Sequence, residues 1–264
     1  MTTLAEDVAQ IRHISPLVHN ITNYVVMNVT ANALLAIGAS PVMAHAVEEV
    51  EEMAGIAGAL VLNIGTLSTH WIDAMLLAGS VARARGIPII LDPVGAGATH
   101  LRTRVTLQLL ADLSPKILRG NASEILALVS NEGGTKGVDS VHQVDDAILA
   151  GKQLAERYGC VVSISGKVDV IVDSTRIARV DNGHPLMARV TGSGCIATVL
   201  TGAFAAINGS AFDAAVHAMA LSGICGEMAA KDAPGPGTYS VRFLDALHSV
   251  TERQLHDMQR LTAG

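Results

Sequence analysis

Short apolar runs alternate with amphipathic runs along most of this chain, and this alternation constrains the fold more than any other feature. The short runs are apolar on both faces, which is typical of strands inside a parallel sheet. The amphipathic runs place apolar residues three to four positions apart, as helices that cover a sheet do. The strand-like runs are residues 59–64, 87–91, 116–118 and 161–164, and the helix-like runs are residues 71–85, 101–113 and 144–158. This series predicts an α/β fold, a three-layer αβα sandwich with a mainly parallel central sheet and right-handed crossovers.

The pattern changes near residue 168. Two strand-like runs, 168–172 and 175–180, flank Asp173-Ser174 and predict a hairpin that adds an antiparallel edge to the sheet. The chain then predicts helices, over residues 196–207, 211–230 and 241–258. No linker, internal repeat or shift in composition divides the sequence, so we expect one domain over residues 1–264.

The composition excludes several functional classes. Aromatic residues make up 3% of the chain and the formal net charge is -6, so nucleic-acid binding is not expected. The three cysteines lack C-x-x-C spacing, which argues against a disulfide framework or a zinc site. Residues 1–12 carry acids in an amphipathic pattern, and no uninterrupted apolar run reaches about 18 residues. We therefore expect a soluble, cytoplasmic protein with no membrane segment.

The segment V-T-G-S-G-C, residues 190–195, precedes an apolar stretch over residues 196–207 and predicts a glycine-rich turn that opens a buried helix. Glycines let the backbone approach a ligand closely, and the first amides and the dipole of a helix attract an anion. Gly192 and Gly194 would then hold a phosphate or a developing oxyanion, with Cys195 beside the reacting atom. The alternative is a tight turn into a core helix with no ligand.

Polar residues follow several of the predicted strands. They are Thr66, Asp92, Arg119, Asn121 and Ser165. The carboxyl edge of a parallel sheet is where ligands bind, so these residues and the glycine turn predict one site. A single polar residue after a strand is often only a helix cap, and this alternative stays open for Asn121.

Two of these segments suit a metal and phosphates. Asp92 is followed by P-V-G-A-G, and a carboxylate held in this way suits a hard cation, although it also suits a helix cap. Asn121 and Glu124 form an Asn-x-x-Glu at a helix start, where both could order waters of Mg²⁺ beside nucleotide phosphates. Arg119 would neutralise phosphate oxygens. The alternative is a capping box with a surface arginine.

The chain lacks the usual loops for nucleotide phosphates. No G-x-x-x-x-G-K-[ST] occurs, so a Walker-type loop is absent. The glycines near residue 192 have no acidic ribose partner about 20 residues further on, as a dinucleotide fingerprint would. Phosphoryl transfer is therefore favoured over hydride transfer.

Several motifs occur in order along the chain: H-N-I-T-N at 19–23, Asn28, Asn32, G-A-S-P-V-M at 38–43, N-I-G-T at 63–66, D-P-V-G-A-G at 92–97 and T-G-S-G-C at 191–195. Their order resembles the ribokinase-like superfamily and, more closely, the hydroxyethylthiazole kinase family. The resemblance implies that ATP phosphorylates the alcohol of 4-methyl-5-(2-hydroxyethyl)thiazole, a salvage step of thiamine synthesis.

The resemblance also implies roles for individual residues. It places Cys195, Gly192 and Gly194 at the reacting group. For the thiazole substrate it places Met43 and Gly192 at the alcohol and Asn23 near the ring. It places Arg119, Ser165 and Asn121 at ATP, and Asp92 and Glu124 at Mg²⁺ through water. Ser165 stands where the family usually has threonine, and the shorter side chain keeps the hydroxyl. Magnesium and ATP are thus the implied cofactor and co-substrate.

Cys195 departs from the wider superfamily, which usually places an aspartate there as base. A free thiol has a pKa near 8.5, and we expect the helix N-terminus to favour the thiolate. Phosphoryl transfer tolerates a weak base, because its loose transition state depends mainly on positioning and charge neutralisation. The sequence therefore predicts that Cys195 assists the reaction without being essential.

Asn23, Asn28 and Asn32 lie on a helix-like run over residues 24–37 whose other residues are mostly apolar. Amides in apolar surroundings need partners, so these residues either tie the helix to neighbouring loops or line a pocket. The resemblance implies a homotrimer with the thiazole pocket between subunits, in which a neighbour would bury this helix.

Three other functions remain open from the sequence. A hydroxymethylpyrimidine kinase or another vitamin-precursor kinase would use the same fold, and so would an ADP-dependent dehydratase. A ligand sensor without catalysis would keep the pocket only, although the presence of Asp92, Arg119 and Glu124 argues against it.

Overall fold

The computed structural model describes residues 2–130 and 143–263. Within them, nine strands form one sheet in the order β2-β1-β3-β4-β5-β6-β7-β8-β9. The strands are β1 (Leu17–Ile21), β2 (Ser40–Val42), β3 (Ala59–Asn63), β4 (Ile89–Asp92), β5 (Ile117–Asn121), β6 (Val161–Ser165), β7 (Asp169–Val172), β8 (Ile177–Val180) and β9 (Leu261–Ala263). Neighbouring strands are parallel from β2 to β6 and antiparallel from β6 to β9.

Helices cover both faces of the sheet. They are α1 (Leu4–Ile14), α2 (Met27–Ile37), α3 (Val50–Ile56), α4 (Thr69–Arg85), α5 (His100–Leu113), α6 (Ala122–Ser130), α7 (Gln143–Tyr158), α8 (Ser193–Ile207), α9 (Ala211–Ala230), α10 (Pro236–Ser249) and α11 (Glu252–Met258), with a 3₁₀ helix over Pro185–Arg189. None of the described helices combines the length and the apolar character that crossing a bilayer requires.

Alternate residues of the central strands supply two hydrophobic cores. In β3, Val61 packs in the core beneath α8 and α9, whereas Leu60 and Leu62 pack in the core beneath α4 and α5. All five residues of β3 are buried, as expected for a strand with helices on both sides. The predicted three-layer αβα sandwich is thus confirmed.

The predicted hairpin is also confirmed, with a local reason for its turn. Asp173 Oδ1 accepts hydrogen bonds from the backbone amides of Thr175 and Arg176 at 2.9 and 2.7 Å. This side chain stabilises the reversal between β7 and β8, as aspartate does in Asx turns. Because the turn includes residues 175 and 176, β8 begins two positions later than predicted, at Ile177.

Other boundaries differ from the predictions. The sequence analysis did not predict β1, which contains His19 and Asn20, or β2, which is only three residues long. The helix predicted over residues 241–258 is two helices, because Thr251 forms a capping box with Gln254 and starts α11. The helix predicted over residues 24–37 begins at Met27, so Asn23 lies in the loop before it.

Helix α8 lies directly on β1 and β3, and Gly202 makes this approach possible. A Cβ atom at Gly202 would lie 2.7 Å from Val61 Cγ2 and 3.1 Å from Val18 Cγ1. The first distance is shorter than carbon contacts allow and the second is tighter than most, so a side chain here would push the helix away from the sheet.

We expect Gly202→Ala to lower the free energy of unfolding by about 1–3 kcal/mol, the usual cost of overpacking a core. Urea denaturation followed by circular dichroism measures this change. Gly209→Ala is the matched control, since nothing lies within 4 Å of a Cβ atom there. Equal stability of the two variants would contradict the close approach of α8 to the sheet.

Candidate functional site

The candidate site lies at the carboxyl edge of the parallel strands. The pairing register places Asn63 of β3 beside Asp92 of β4, and Asn121 of β5 beside Ser165 of β6. The N-terminus of α8 reaches the same edge, because Thr198 on its second turn bonds to Asp92. The strand ends and the glycine turn therefore meet, as the sequence predicted.

Gly192 forms the turn before α8. Its φ of +86° and ψ of -5° are left-handed, a conformation that glycine adopts without strain. A Cβ atom here would also lie 3.0 Å from Val26 Cγ1. No side chain caps the helix, so its first amides and its dipole are available to an anion.

Ser193 holds the turn from the other side. Its hydroxyl lies 2.8 Å from the carbonyl oxygen of Met187 and 2.9 Å from that of Val190. The turn is thus tied to the 3₁₀ helix that precedes it.

Asp92 is the centre of a buried network of hydrogen bonds. Its Oδ2 accepts from Asn63 Nδ2 at 2.9 Å and from the hydroxyl of Thr198 at 2.7 Å. Arg119 Nη1 donates to the same hydroxyl at 3.3 Å. The chain of contacts joins β3, β4, β5 and α8 through one carboxylate.

Burial raises the pKa of Asp92 to about 6, even though Arg119, Thr198 and Asn63 favour the charged form. The nearby negative charge of Glu124 also acts to raise it. A cation between the two carboxylates would offset both effects.

Cys195 lies at the start of α8 and contacts two buried amides. Its Sγ is 3.3 Å from Asn63 Nδ2 and 3.8 Å from Asn23 Nδ2. Asn23 Nδ2 also donates to Asn63 Oδ1 at 2.8 Å, so the amides orient each other. Asn23, which the resemblance places near the thiazole ring, thus lies beside Cys195.

The expected lowering of the Cys195 pKa is wrong. Burial, followed by the negative charge of Asp92, raises the pKa of the thiol to about 11. The amides of Asn63 and Asn23 and the charge of Arg119 act in the opposite direction but do not prevail. The thiol is therefore neutral at pH 7.

Asn121 and Glu124 form the reciprocal capping box that the sequence left as an alternative. Asn121 Oδ1 accepts from the amide of Glu124 at 2.9 Å, and Glu124 Oε2 accepts from the amide of Asn121 at 2.8 Å. The other carboxylate oxygen of Glu124 accepts from the amide of Gly95 at 2.8 Å. Glu124 thereby joins the start of α6 to the loop that follows Asp92.

A cleft of about 800 Å³ opens beside the glycine turn. Its lining includes Gly192 and Gly194 and the predicted nucleotide residues Arg119, Asn121 and Ser165, together with Lys167 and Asp169. Arg119 is only 5% exposed, and its Nε has no hydrogen-bond partner in the described structure. A buried guanidinium with a free donor at a cleft wall suits an anionic ligand.

The structure brings most of the predicted site residues together, but Met43 is separate. Met43 follows β2, the edge strand, which is separated from β3 by β1. It is half-buried, and its carbonyl oxygen is 3.1 Å from Nδ1 of His45. Met43 takes no part in the hydrogen bonds around Asp92 and Cys195 that are described above.

Thr198 and Asn63 are the site residues for which the sequence analysis predicted no role. Thr198 lies within the stretch treated as apolar, three positions after Cys195 and hence on the same face of α8. This spacing was the sequence signal that could have identified Thr198 as a site residue. Asn63 was part of a motif, but its contacts with Asp92 and Cys195 depend on strand pairing.

Among the described residues, no three His, Cys, Asp or Glu side chains are placed to hold a metal directly. Mg²⁺ commonly keeps several waters and uses one or two carboxylates plus substrate phosphates. Asp92 and Glu124, which repel each other beside the cleft, fit that mode of binding.

Comparison with known proteins agrees with this geometry. A model of the hydroxyethylthiazole kinase family matches residues 8–253. A hydroxyethylthiazole kinase of Syntrophus aciditrophicus is 59% identical over 258 residues, which cover 97% of this chain and 96% of that protein. A hydroxyethylthiazole kinase of Oleidesulfovibrio alaskensis is 56% identical over 243 residues, which cover 92% of this chain and 91% of that protein.

Solved structures support the same assignment. The hydroxyethylthiazole kinase of Pyrococcus horikoshii superposes with a TM-score of 0.92 at 43% identity, covering 99% of this chain and 98% of that one. A pyridoxal kinase of Staphylococcus aureus superposes with a TM-score of 0.66 at 15% identity, over 94% of this chain and 97% of that chain, which shows that the two proteins share a fold. With the match over residues 8–253 and the relatives above, this chain belongs to the hydroxyethylthiazole kinase family.

Proposed function

We propose that this protein transfers the γ-phosphoryl group of ATP to the alcohol of 4-methyl-5-(2-hydroxyethyl)thiazole, a step of thiamine salvage. The observation that carries the proposal is the uncapped N-terminus of α8, with its glycine turn, placed between the buried Asp92 and the cleft. Membership of the family supports the choice of substrate.

The cleft supports a nucleotide with its phosphates towards the glycine turn. Arg119, Ser165 and Asn121 line it and would contact ATP. The alcohol would lie at Gly192, Gly194 and Cys195, with Asn23 beside the ring. Met43 would then contact the substrate from the edge-strand side.

The chemistry requires neutralisation of charge on the transferred phosphoryl group. The amides of α8 at Gly192–Gly194 and the guanidinium of Arg119 are fixed by the fold, so they need little rearrangement when that charge develops. Thr198 links Arg119 to Asp92 and holds the guanidinium in place.

Asp92 and Glu124 would hold Mg²⁺ through water. Held there, Mg²⁺ would supply positive charge that offsets the negative charge of the phosphates. The backbone amide of Gly95, bonded to Glu124 at 2.8 Å, keeps that carboxylate turned towards the loop after Asp92.

Cys195 would position the alcohol rather than remove its proton. A thiol with a pKa of about 11 is protonated at neutral pH. A loose transition state does not require the alcohol to be deprotonated before transfer, because the hydroxyl proton can pass to an oxygen of the transferred phosphoryl group as the new O–P bond forms and the bond to ADP breaks. A neutral hydrogen-bonding group at Cys195 therefore suffices.

Exposed apolar side chains support a homotrimer with the thiazole pocket at the subunit interface. Tyr24 and Val25, next to Asn23, are 65% and 64% exposed, and Leu35 on α2 is 59% exposed. Asn28 and Asn32 bond to each other on the exposed face of α2 at 3.1 Å. This surface would be buried by a neighbouring subunit.

We further propose that residues 1–264 act as one domain in the cytoplasm. The continuous sheet of the described residues supports the first point. The cytoplasmic location is supported by the need for ATP and by the absence of a disulfide bond among the described cysteines, Cys160, Cys195 and Cys225.

The proposed reaction predicts ADP formation from Mg-ATP and hydroxyethylthiazole and a thiazole product heavier by one phosphate. A coupled ADP assay with mass spectrometry measures both, with hydroxymethylpyrimidine as a parallel substrate. Asp92→Asn should lower turnover by about 10²-fold or more, the scale of losing an electrostatic group in a site. Asp73→Asn, on the exposed side of α4, is the matched control.

Other results would identify the alternatives. Phosphorylation of the pyrimidine alone would indicate the other vitamin-precursor kinase. Tight binding of the thiazole without ADP formation would indicate a sensor, and nucleotide-dependent release of water from a hydrated nicotinamide would indicate the dehydratase.

Because Cys195 would position the alcohol, Cys195→Ala should lower kcat by up to about a hundredfold, the scale of a misplaced reacting group, and Cys195→Asp should stay active. Because the thiol pKa of about 11 lies above the tested range, wild type and Cys195→Ala should have pH–rate profiles of the same shape from about pH 7 to 9. Cys160→Ala, at a buried thiol outside the site, is the control. A folded Cys195→Ala protein without turnover would show that this interpretation is wrong.

Tyr24→Glu should dissociate the trimer and raise the KM for thiazole, because the new charge would be buried at the interface. Light scattering after size-exclusion chromatography measures the mass. Leu149→Glu on α7, where Leu149 is 59% exposed, is the matched control and should stay trimeric. A wild-type protein that runs as a monomer at all concentrations would contradict the assembly.

A further inference from the structure

The nucleotide cleft has one wall without a strand or an α-helix. This segment, residues 181–190 between β8 and the glycine turn, is called the distal wall below. It contributes Asp181, Asn182, Gly183, Pro185 and Met187 to the lining of the cleft. The opposite wall consists of strand ends, where Arg119 and Ser165 lie.

Apolar packing of the distal wall is only partial. Leu186, Met187 and Val190 pack against the core, but the 3₁₀ helix Pro185–Arg189 contains no buried residue. Gly183 has a φ of +143°, and beyond Asp181, whose amide donates to the carbonyl of Arg260 at 3.0 Å, no strand among the described residues pairs with this stretch. A segment of this kind depends on polar contacts for its position.

Glu227 on α9 supplies several of those contacts. Its Oε1 accepts from the amide of Gly183 at 2.8 Å and from Asn182 Nδ2 at 3.2 Å. Although burial opposes the charge, the hydrogen bonds of Arg260, Gly183 and Asn182 lower the pKa of Glu227, so the carboxylate stays ionised at neutral pH.

Arg260 completes the arrangement from the C-terminal segment. Its Nη1 lies 3.1 Å from Glu227 Oε2, its Nη2 bonds to Glu227 Oε1, and its Nε donates to the carbonyl of Asp181 at 2.8 Å. Its backbone amide donates to Asn182 Oδ1 at 2.8 Å. One bidentate ion pair, between a residue of α9 and a residue of the C-terminal segment, thus holds the start of the distal wall through hydrogen bonds from both partners.

The wall is also fitted closely to α9 and to the glycine turn. A Cβ atom at Gly223 would lie 2.4 Å from Asn182 Cβ, so the helix and the wall are in direct contact. At its other end, the wall is bonded through the carbonyl of Met187 to Ser193. A shift of the wall would therefore disturb the anion-binding turn.

We propose that the Glu227–Arg260 ion pair is a positioning device for the nucleotide, which keeps the distal wall in the conformation that binds ATP. The inference rests on the proposed function and extends it to residues outside the reacting centre. Glu227 is not among the residues that line the cleft. Arg260 lies at the edge of the lining and beyond residues 8–253 that match the family model, so the Glu227 variant separates positioning from a direct contact of Arg260 with the nucleotide.

The expected effect follows from the fraction of molecules with an ordered wall. When only a fraction of the protein is competent to bind, the apparent Kd rises by the inverse of that fraction. A wall that is ordered about a tenth of the time would weaken nucleotide binding about tenfold. The thiazole side of the site, at Asn23 and Cys195, shares no contact with the ion pair.

The test is isothermal titration of ADP into wild type, Glu227→Gln and Arg260→Lys, with steady-state kinetics on the same proteins. Glutamine removes the charge, and lysine cannot form the bidentate pair with its additional bond to Asp181. We expect the Kd for ADP and the KM for ATP to rise about tenfold, with KM for thiazole and kcat within about twofold. The double variant should be no weaker than either single variant.

Asp257→Asn is the matched control. It removes the Arg253–Asp257 pair of α11, which lies close in sequence but does not line the cleft. We expect wild-type affinity for ADP. If Glu227→Gln does not fold, which thermal melting identifies, Glu227→Asp takes its place, because the shorter side chain keeps the charge but cannot keep both the bidentate pair with Arg260 and the bond to the amide of Gly183.

Several results would overturn the inference. Unchanged ADP affinity in both variants would exclude positioning, and a loss confined to Arg260→Lys would show a direct contact of Arg260 with the nucleotide. An equal rise in KM for ATP and for thiazole would show a general structural role. Wild type that binds ADP but does not phosphorylate thiazole would refute the proposed substrate alone, whereas wild type that binds no ADP would refute both proposals.

Discussion

The rest of the site depends on the burial of one carboxylate beneath the first turns of a helix. Asp92 is 3% exposed at the end of β4, where Asn63 and Thr198 donate to it. Burying a charge is costly unless hydrogen bonds and opposite charges compensate. Here the compensation comes from β3, α8 and, through Thr198, Arg119 of β5. The same contacts therefore pack the helix against the sheet and hold a carboxylate beside the first turns of α8.

This arrangement explains why the thiol of Cys195 behaves differently from a cysteine at an isolated helix N-terminus. A helix dipole and two amide donors favour the thiolate, but burial and the negative charge of Asp92 raise its pKa to about 11. A site that keeps Asp92 ionised for a cation cannot easily keep a second anion beside it. A neutral thiol can bind the alcohol by a hydrogen bond while Asp92 stays ionised. A loose phosphoryl transfer requires no strong base, so this neutral group is sufficient.

The sequence predicted the central part of the fold because its signals are local. The buried strands β3 to β6 and the helices between them show their periodicity directly, and Asp173 marks the hairpin. The strands β1 and β2 were missed because His19 and Asn20 interrupt the apolar pattern and β2 is short. Thr198 was overlooked because a threonine that bonds to a carboxylate 106 positions away has no local signature. The boundary between α10 and α11 does have a local signature, the capping box at Thr251. It was missed because the capping box lies within a continuous amphipathic pattern.

By itself, the sequence determined the class of fold, the glycine turn at Gly192 and the set of polar strand ends, since each depends on residues close together in the chain. Tertiary structure alone decided which of those groups meet and how their charges act on one another. The direction of the Cys195 pKa shift required the position of Asp92. The ion pair between Arg260 and Glu227, which are 33 positions apart, required β9 to pair with β8. Electrostatic and hydrogen-bonding effects depend on distance and burial, and these exist only once the chain has folded.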